Sequence, residues 1–245
     1  MATRPPARTA QAARPSVRPA ARARRAAPLR PAVPAPPVWA LVRGPAVLTL
    51  AVTLLRLLGE RRGWSPSLFS TLPGGGLALV GITWLVLPVG LYLGWRLARL
   101  GFADGSQRRA LFWPAVALAI APLCAWLLDR LLAPGWAGAA LLWGTASLAA
   151  AVVAFASWPA LGRVLVAYAL LARVPVMIVM GLAISAGWGT HYDAAPPGLP
   201  WMPPLQRWVW TGLVPQCTIW IGFTVATGAL FGGLGRWLAG SRRSG

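Results

Sequence analysis

Lysine is absent from this 245-residue chain and acids nearly so: four Asp and Glu stand against 23 basic residues, all arginine, for a net charge of +19. Histidine occurs once and cysteine twice. Charged residues make up 11% of the chain, where a soluble domain carries roughly 25%. Most of the chain therefore has no water-facing surface to decorate, and the length leaves no room for a sizeable soluble domain. A single histidine excludes a heme-binding pair. Cys124 and Cys217 lie in separate apolar runs, which argues against a structural disulfide and a paired-cysteine metal motif. No phosphate-cradling loop and no serine elbow occurs, so redox cofactors and nucleotide hydrolysis are disfavoured, and no cofactor is assigned. So basic a chain points first to nucleic acid. The arginines, however, crowd one tail and a few loops and form no stripe on a folded face. Nucleic acid is not expected as a partner. The Arg-for-Lys choice, beside abundant Ala, Gly and Pro, reads as coding bias.

What the chain has in quantity is apolar sequence, 57% of its residues. Long hydrophobic runs recur from Val38 to Leu238, at about 39–58, 77–95, 110–128, 136–157, 164–186 and 211–234. About twenty residues at 1.5 Å rise each match a hydrocarbon core of roughly 30 Å. The predicted fold is all-α, a polytopic membrane bundle of about six transmembrane helices over residues 38–238. Tryptophans such as Trp39, Trp95, Trp136, Trp158 and Trp208 fall near the predicted ends, as an interfacial belt requires. Residues 1–37, built of Ala, Pro and Arg, cannot bury enough surface to fold and are predicted to be disordered. They serve as a topogenic tail or as a contact to anionic lipid. Residues 239–245 form a short basic C-terminal tail.

With the N-terminus inside, the cytoplasmic side receives most of the arginines, including Arg96, Arg99, Arg108, Arg109, Arg163 and Arg236. The outer side receives Arg56, Arg61, Arg62, Arg130 and Arg207. By the positive-inside rule both termini are cytoplasmic. Arg43 and Arg56, near the two ends of the first span, are expected to snorkel to the interfaces. Gly90 and Gly94 in the second span and Gly228 and Gly232 in the sixth have GxxxG spacing, which marks contact faces without naming partners. Prolines at 88, 114, 122, 175 and 215 are expected to kink or end helices and to free carbonyls.

Polar chemistry gathers in few places. Glu60, Asp129, Asp193 and His191 fall on the outer side, and Asp104 on the inner. Gly187 to Asp193, followed by Pro196, Pro197, Gly198 and Pro200, reads as a stiff loop over the outer mouth, and Leu205–Trp208 as an interfacial stretch. His191 and Asp193 fit three roles: a base with its orienting acid, two ligands of a metal, or a pair that pins the loop. A metal needs about three protein ligands, so none is assigned. Glu60 beside Arg61 and Arg62, and Asp129 beside Arg130, read as exposed ion pairs. Arg173 is the one charge near the middle of a span, where arginine costs roughly 2.5–3.5 kcal/mol and faces a partner or a wet cavity. Its candidate partners are a freed carbonyl near Pro175, Gln216, an outer carboxylate or an anionic ligand. A span shifted so that Arg173 nears the cytoplasmic interface is the other reading.

The loop Trp188-Gly189-Thr190-His191-Tyr192-Asp193, with Pro196-Pro197-Gly198, Arg173-Val174-Pro175 and Pro215-Gln216, resembles a family of uncharacterised multi-pass bacterial membrane proteins. Gly59-Glu60, Trp64, Leu68-Phe69-Ser70 and Gly81 to Leu85 resemble that family's opening portion. The resemblance spans roughly Leu41 to Gly232 and implies a bacterial inner membrane and no mechanism. Three functions stay open. One is binding or moving an anionic or lipid-like ligand, with Arg173, His191, Asp193, Glu60 and Gln216 as candidate site residues. The second is a membrane enzyme with an extracytoplasmic His/Asp site. The third is a non-catalytic assembly subunit, as a homo-oligomer or beside a partner subunit. The catalytic residues of an enzyme are unassigned, and the balance leans away from one.

Overall fold

A computed structural model describes residues 36–76, 78–103 and 105–241. The basic tail, Asp104, Arg242 and Arg243 lie outside the described residues. Helices run over Val38–Arg61 (α1), Ile82–Arg99 (α2), Gln107–Leu132 (α3), Trp136–Ser157 (α4) and Pro159–Ala186 (α5). A sixth, α6, spans Pro204–Gly240. No strand occurs among the described residues. Five of the six, all but α2, are long and apolar enough to cross a membrane, and the protein is a multi-pass membrane protein. The exception has 18 residues and ends in Arg96 and Arg99. At 1.5 Å per residue it reaches about 27 Å, close to the thickness of a hydrocarbon core.

Burial separates centre from periphery. In their most apolar windows α5 and α6 are 44% and 50% buried, against 17% for α3 and α4. The outer helices turn Leu54, Leu55, Ile120, Leu131, Leu141 and Val152 outward, as a lipid-facing surface requires. The core joins Leu93 and Leu97 of α2, Leu161, Val164, Leu165 and Tyr168 of α5, and Val225, Ala226 and Ala229 of α6. Buried residues of α2 fall at Val86, Val89, Gly90, Leu93, Gly94 and Leu97, one stripe of a 3.6-residue period. The two GxxxG faces meet each other there. A Cβ at Gly90 would stand 2.6 Å from the Gly228 carbonyl, and one at Gly94 would overlap Gly232. Only hydrogen in place of a side chain allows that approach.

The prolines end no helix in the interior of a span. Pro88, Pro114, Pro122 and Pro175 all lie within helices, as does Pro45. The real breaks come where an extended residue precedes a helix start. Trp158 (φ −150°, ψ 85°) alone separates α4 from α5, and Pro159 opens α5 where its missing N–H costs nothing. Trp158 is therefore no interfacial belt residue. It is fully buried and donates from its indole to the Phe102 carbonyl at 2.8 Å. The fifth span consequently starts at 159 rather than 164. The second starts at 82 rather than 77, because the glycine-rich segment continues to Gly81.

The sixth span starts at Pro204 rather than 211, so Leu205–Trp208 belongs to the helix rather than to a separate interfacial stretch. After one α-helical turn, Pro204–Arg207, the backbone is π-helical over Trp208–Leu213 and again over Gln216–Trp220. It then continues as α-helix over Ile221–Ser241. Pro215 stands between the two widened segments and has no N–H to give. Re-registering the hydrogen bonds around it keeps the rod continuous.

Successive crossings leave the two long connections, 62–81 and 187–203, on one face. The short connections 100–106 and Trp158 lie on the other, while the short 133–135, beside Trp136, belongs to the first. The polar candidates belong to the first face, called the loop face below.

Candidate functional site

Arg56 and Glu60 stand one helical turn apart at the end of α1, so both side chains leave the same side of the helix. That side faces inward. Glu60 is buried and its Oε1 accepts from Arg56 Nε at 2.8 Å, while Arg56 Nη2 donates to the carbonyls of Ser70 (3.2 Å) and Gly75 (3.0 Å). Gly75, at φ 82°, lies where a Cβ would strike the guanidinium. Arg56 does not snorkel, and Glu60 does not pair with Arg61 or Arg62. Neighbours in sequence point about 100° apart on a helix and cannot share a face. Arg61 instead donates to the Trp188 carbonyl at 3.1 Å and covers its ring. Asp129 forms no ion pair with Arg130, whose guanidinium lies 5.9 Å from the Trp126 ring.

Glu60 ties the second long loop to α1. Its Oε2 accepts from the His191 backbone N–H at 2.9 Å, and His191 Nδ1 stands 2.6 Å from Oε1, a contact that is ionic only when the imidazole is protonated. Tyr192 is buried beside it and donates to the Thr53 carbonyl at 3.3 Å. Asp193 does not orient His191. Its carboxylate accepts from Gly189 N–H (2.9 Å), Thr190 N–H (2.7 Å) and the Thr190 hydroxyl (2.7 Å), and Arg207 holds its carbonyl. Asp193 is the pin of the loop, and Glu60 is the acid that His191 meets.

These environments set the protonation of the loop. Burial holds His191 below the ordinary histidine value; the contact with Glu60 pulls upward but does not prevail, and the Arg56 charge adds to the depression. Burial also raises the Tyr192 phenol. At Asp193 burial pushes upward, yet the bonds from Thr190 and Gly189 outweigh it and keep the carboxyl below its usual value.

Deeper in the bundle, Arg173 lies halfway along α5, 3% exposed, so it is not displaced towards an interface. Nη2 donates to the Thr224 hydroxyl at 3.3 Å, and the guanidinium stands 5.0 Å from the centre of the Trp220 ring. Neither a carbonyl near Pro175 nor Gln216 is its partner. All ion pairs among the described residues involve Glu60, so Arg173 has no carboxylate.

Arg173 and the loop meet in one cavity of about 450 Å³. Trp136, Ala139, Ala140 and Trp143 supply one face of α4, and Arg173, Val176 and Met180 one face of α5. Arg56, His191 and Pro196 line it from the loop face, and Gln216 and Trp220 from the widened part of α6. Among the described residues, four buried side-chain polar atoms lack a partner in full hydrogen-bond geometry: Trp136 Nε1, Arg173 Nε, Gln216 Oε1 and His191 Nδ1, the last of which still meets Glu60 at 2.6 Å. All four residues line this cavity. Of the candidates from sequence, Arg173, His191 and Gln216 are brought together here. Glu60 stands behind His191 and Arg56, and Asp193 stays within its loop.

Arg56, Trp136 and Trp220 were not legible as site residues. The Arg56–Glu60 spacing carried the signal for the first. Trp136 reads as a belt residue, and nothing in the sequence singles out Trp220. Among the described residues no group of three His, Cys, Asp or Glu side chains gathers to hold a metal ion. Cys124 and Cys217 are both free. No family model, no curated protein and no solved structure matches the chain.

Proposed function

We propose that the protein binds an anionic ligand inside the membrane, with Arg173 as its anchor and the His191 loop as the outer wall of the site. One observation carries this reading: among the described residues, Trp136 Nε1, Arg173 Nε and Gln216 Oε1 are buried without a hydrogen-bond partner, and all three residues line one cavity that holds a cation without a carboxylate. A buried donor left unpaired costs about 1–3 kcal/mol, and more when charged. A ligand that accepts from Arg173 Nε and Trp136 Nε1 and donates to Gln216 Oε1 removes that cost. An anion also balances the guanidinium, since Arg56 is already neutralised by Glu60. The arginine distribution supports a bacterial inner-membrane reading with the loop face outward and both termini cytoplasmic.

Native mass spectrometry of the detergent-purified protein tests this. The wild type is expected to carry an additional anionic mass that Arg173→Leu loses. Loss of a buried, uncompensated charge should also raise the thermal stability of the ligand-free variant, by about 1–3 kcal/mol. A clean apo mass in the wild type, or equal retention by Arg173→Leu, overturns the proposal.

The contact of His191 with Glu60 favours a second reading, a membrane enzyme in which His191 is a base oriented by Glu60. Recovery of the bound species chemically unchanged after prolonged incubation argues for binding alone. Conversion that stops in His191→Gln argues for the enzyme.

A further inference from the structure

We infer that the ligand is a single-chain amphiphilic anion, its head at Arg173 and its chain running past Trp220 into a second, apolar cavity. This rests on the anion-binding reading above and adds the class of ligand. The second cavity, about 400 Å³, lies between α3, α4 and α6. Thr83, Trp143, Ile219 and Trp220 border both cavities, so the two adjoin at these residues. Trp220 lies against the Arg173 guanidinium and also meets Phe223, which lines the second cavity.

The two spaces differ in chemistry as head and tail do. The first holds Arg56, Arg173, His191 and Gln216; the second holds no charged residue, and only Thr83 and Ser147 bring hydroxyls to its wall. Small side chains, Ala121, Ala146, Ala150 and Ala226, leave the second space unfilled by the protein. A half-open apolar cavity beside a buried cation suits an aliphatic chain tethered to an anion. A compact inorganic anion would leave the second cavity empty, and an uncharged chain would leave Arg173 without a counter-charge. The head group can be phosphate or carboxylate, since both accept from a guanidinium and an indole N–H.

Photo-crosslinking with two probes tests the inference: dodecyl phosphate and dodecanoate, each with a diazirine at the chain end, added to the purified protein and mapped by mass spectrometry. Adducts from either probe are expected within 118–122 of α3, 146–150 of α4 or 222–226 of α6. Ala146→Phe and, independently, Ala121→Phe fill the second cavity and should cut those adducts at least fivefold. Arg173→Leu should abolish them. Adducts confined to other segments, with binding still dependent on Arg173, overturn the amphiphile and leave the anion site standing. Equal adducts at 118–122, 146–150 and 222–226 in the wild type and Arg173→Leu overturn the anion site itself.

Discussion

Glu60 carries two loads at once, the guanidinium of Arg56 and the backbone of the His191 loop. Glu60→Ala therefore strands a buried cation and unties the loop, and a loss of about 3–5 kcal/mol is expected in thermal denaturation in detergent. Arg61→Ala, which gives up an exposed carbonyl contact and a stacking contact with the Trp188 ring, should stay within about 1 kcal/mol. His191 adds a dependence on pH. Its folded value lies below the ordinary one, so the unfolded chain takes up the proton first as pH falls. The stability it supports is complete above about pH 6.5 and is lost as pH drops through the depressed folded value. Melting curves from pH 7.5 to 5 should show that decline in the wild type and a flatter one in His191→Gln. At this scale Arg173 and Gln216 stood out as an isolated charge and amide in apolar runs, and His191 as the single histidine in a polar loop. The partners did not. Which carboxylate meets which cation depends on helix facing, and adjacency in sequence pointed Glu60 to Arg61 and Arg62 instead of to Arg56.

Between helices, the closest approach is set by glycine meeting glycine. Gly90 and Gly94 of α2 lie against Gly228 and Gly232 of α6, backbone on backbone. No side chain stands between them that could yield. Gly94→Leu must separate the two helices, and a loss of about 3 kcal/mol or more is expected, at the upper end of overpacking costs. Gly44→Leu, where nothing lies within 4 Å, is the matched control and should leave the melting temperature nearly unchanged. The contact faces could be read from spacing alone, because four-residue periodicity places both glycines on one side. That they face each other could not, since spacing carries no partner information. Prolines misled in the opposite sense. Pro215 suggested a break, yet two π-helical segments carry α6 past it and widen the wall that presents Gln216 and Trp220 to the cavity.

For the molecule as a whole, the all-α bundle and its membrane-spanning character followed from hydropathy, since no other fold hides apolar runs of this length. The number of strongly apolar crossings came out as five with α2 as the exception, because two arginines occupy the last turn of α2. Sidedness can be measured directly. In a background with Cys124 and Cys217 replaced by alanine, Ala195→Cys lies exposed on the loop face and should react with an impermeant thiol reagent on intact cells. Labelling only after lysis would place that face in the cytoplasm and reverse the topology.

The depth of Arg173, halfway along α5, has an electrical consequence. An anion travelling from the loop face to that guanidinium crosses about half of the transmembrane field. One charge across the whole field is worth about 2.3 kcal/mol per 100 mV, so half the distance is worth about 1.2 kcal/mol. Were the loop face outward and the interior negative, the voltage would oppose anion entry and weaken binding about sevenfold at 100 mV. On the anion-binding proposal with the loop face outward, occupancy would rise as the potential collapses and fall as it is restored.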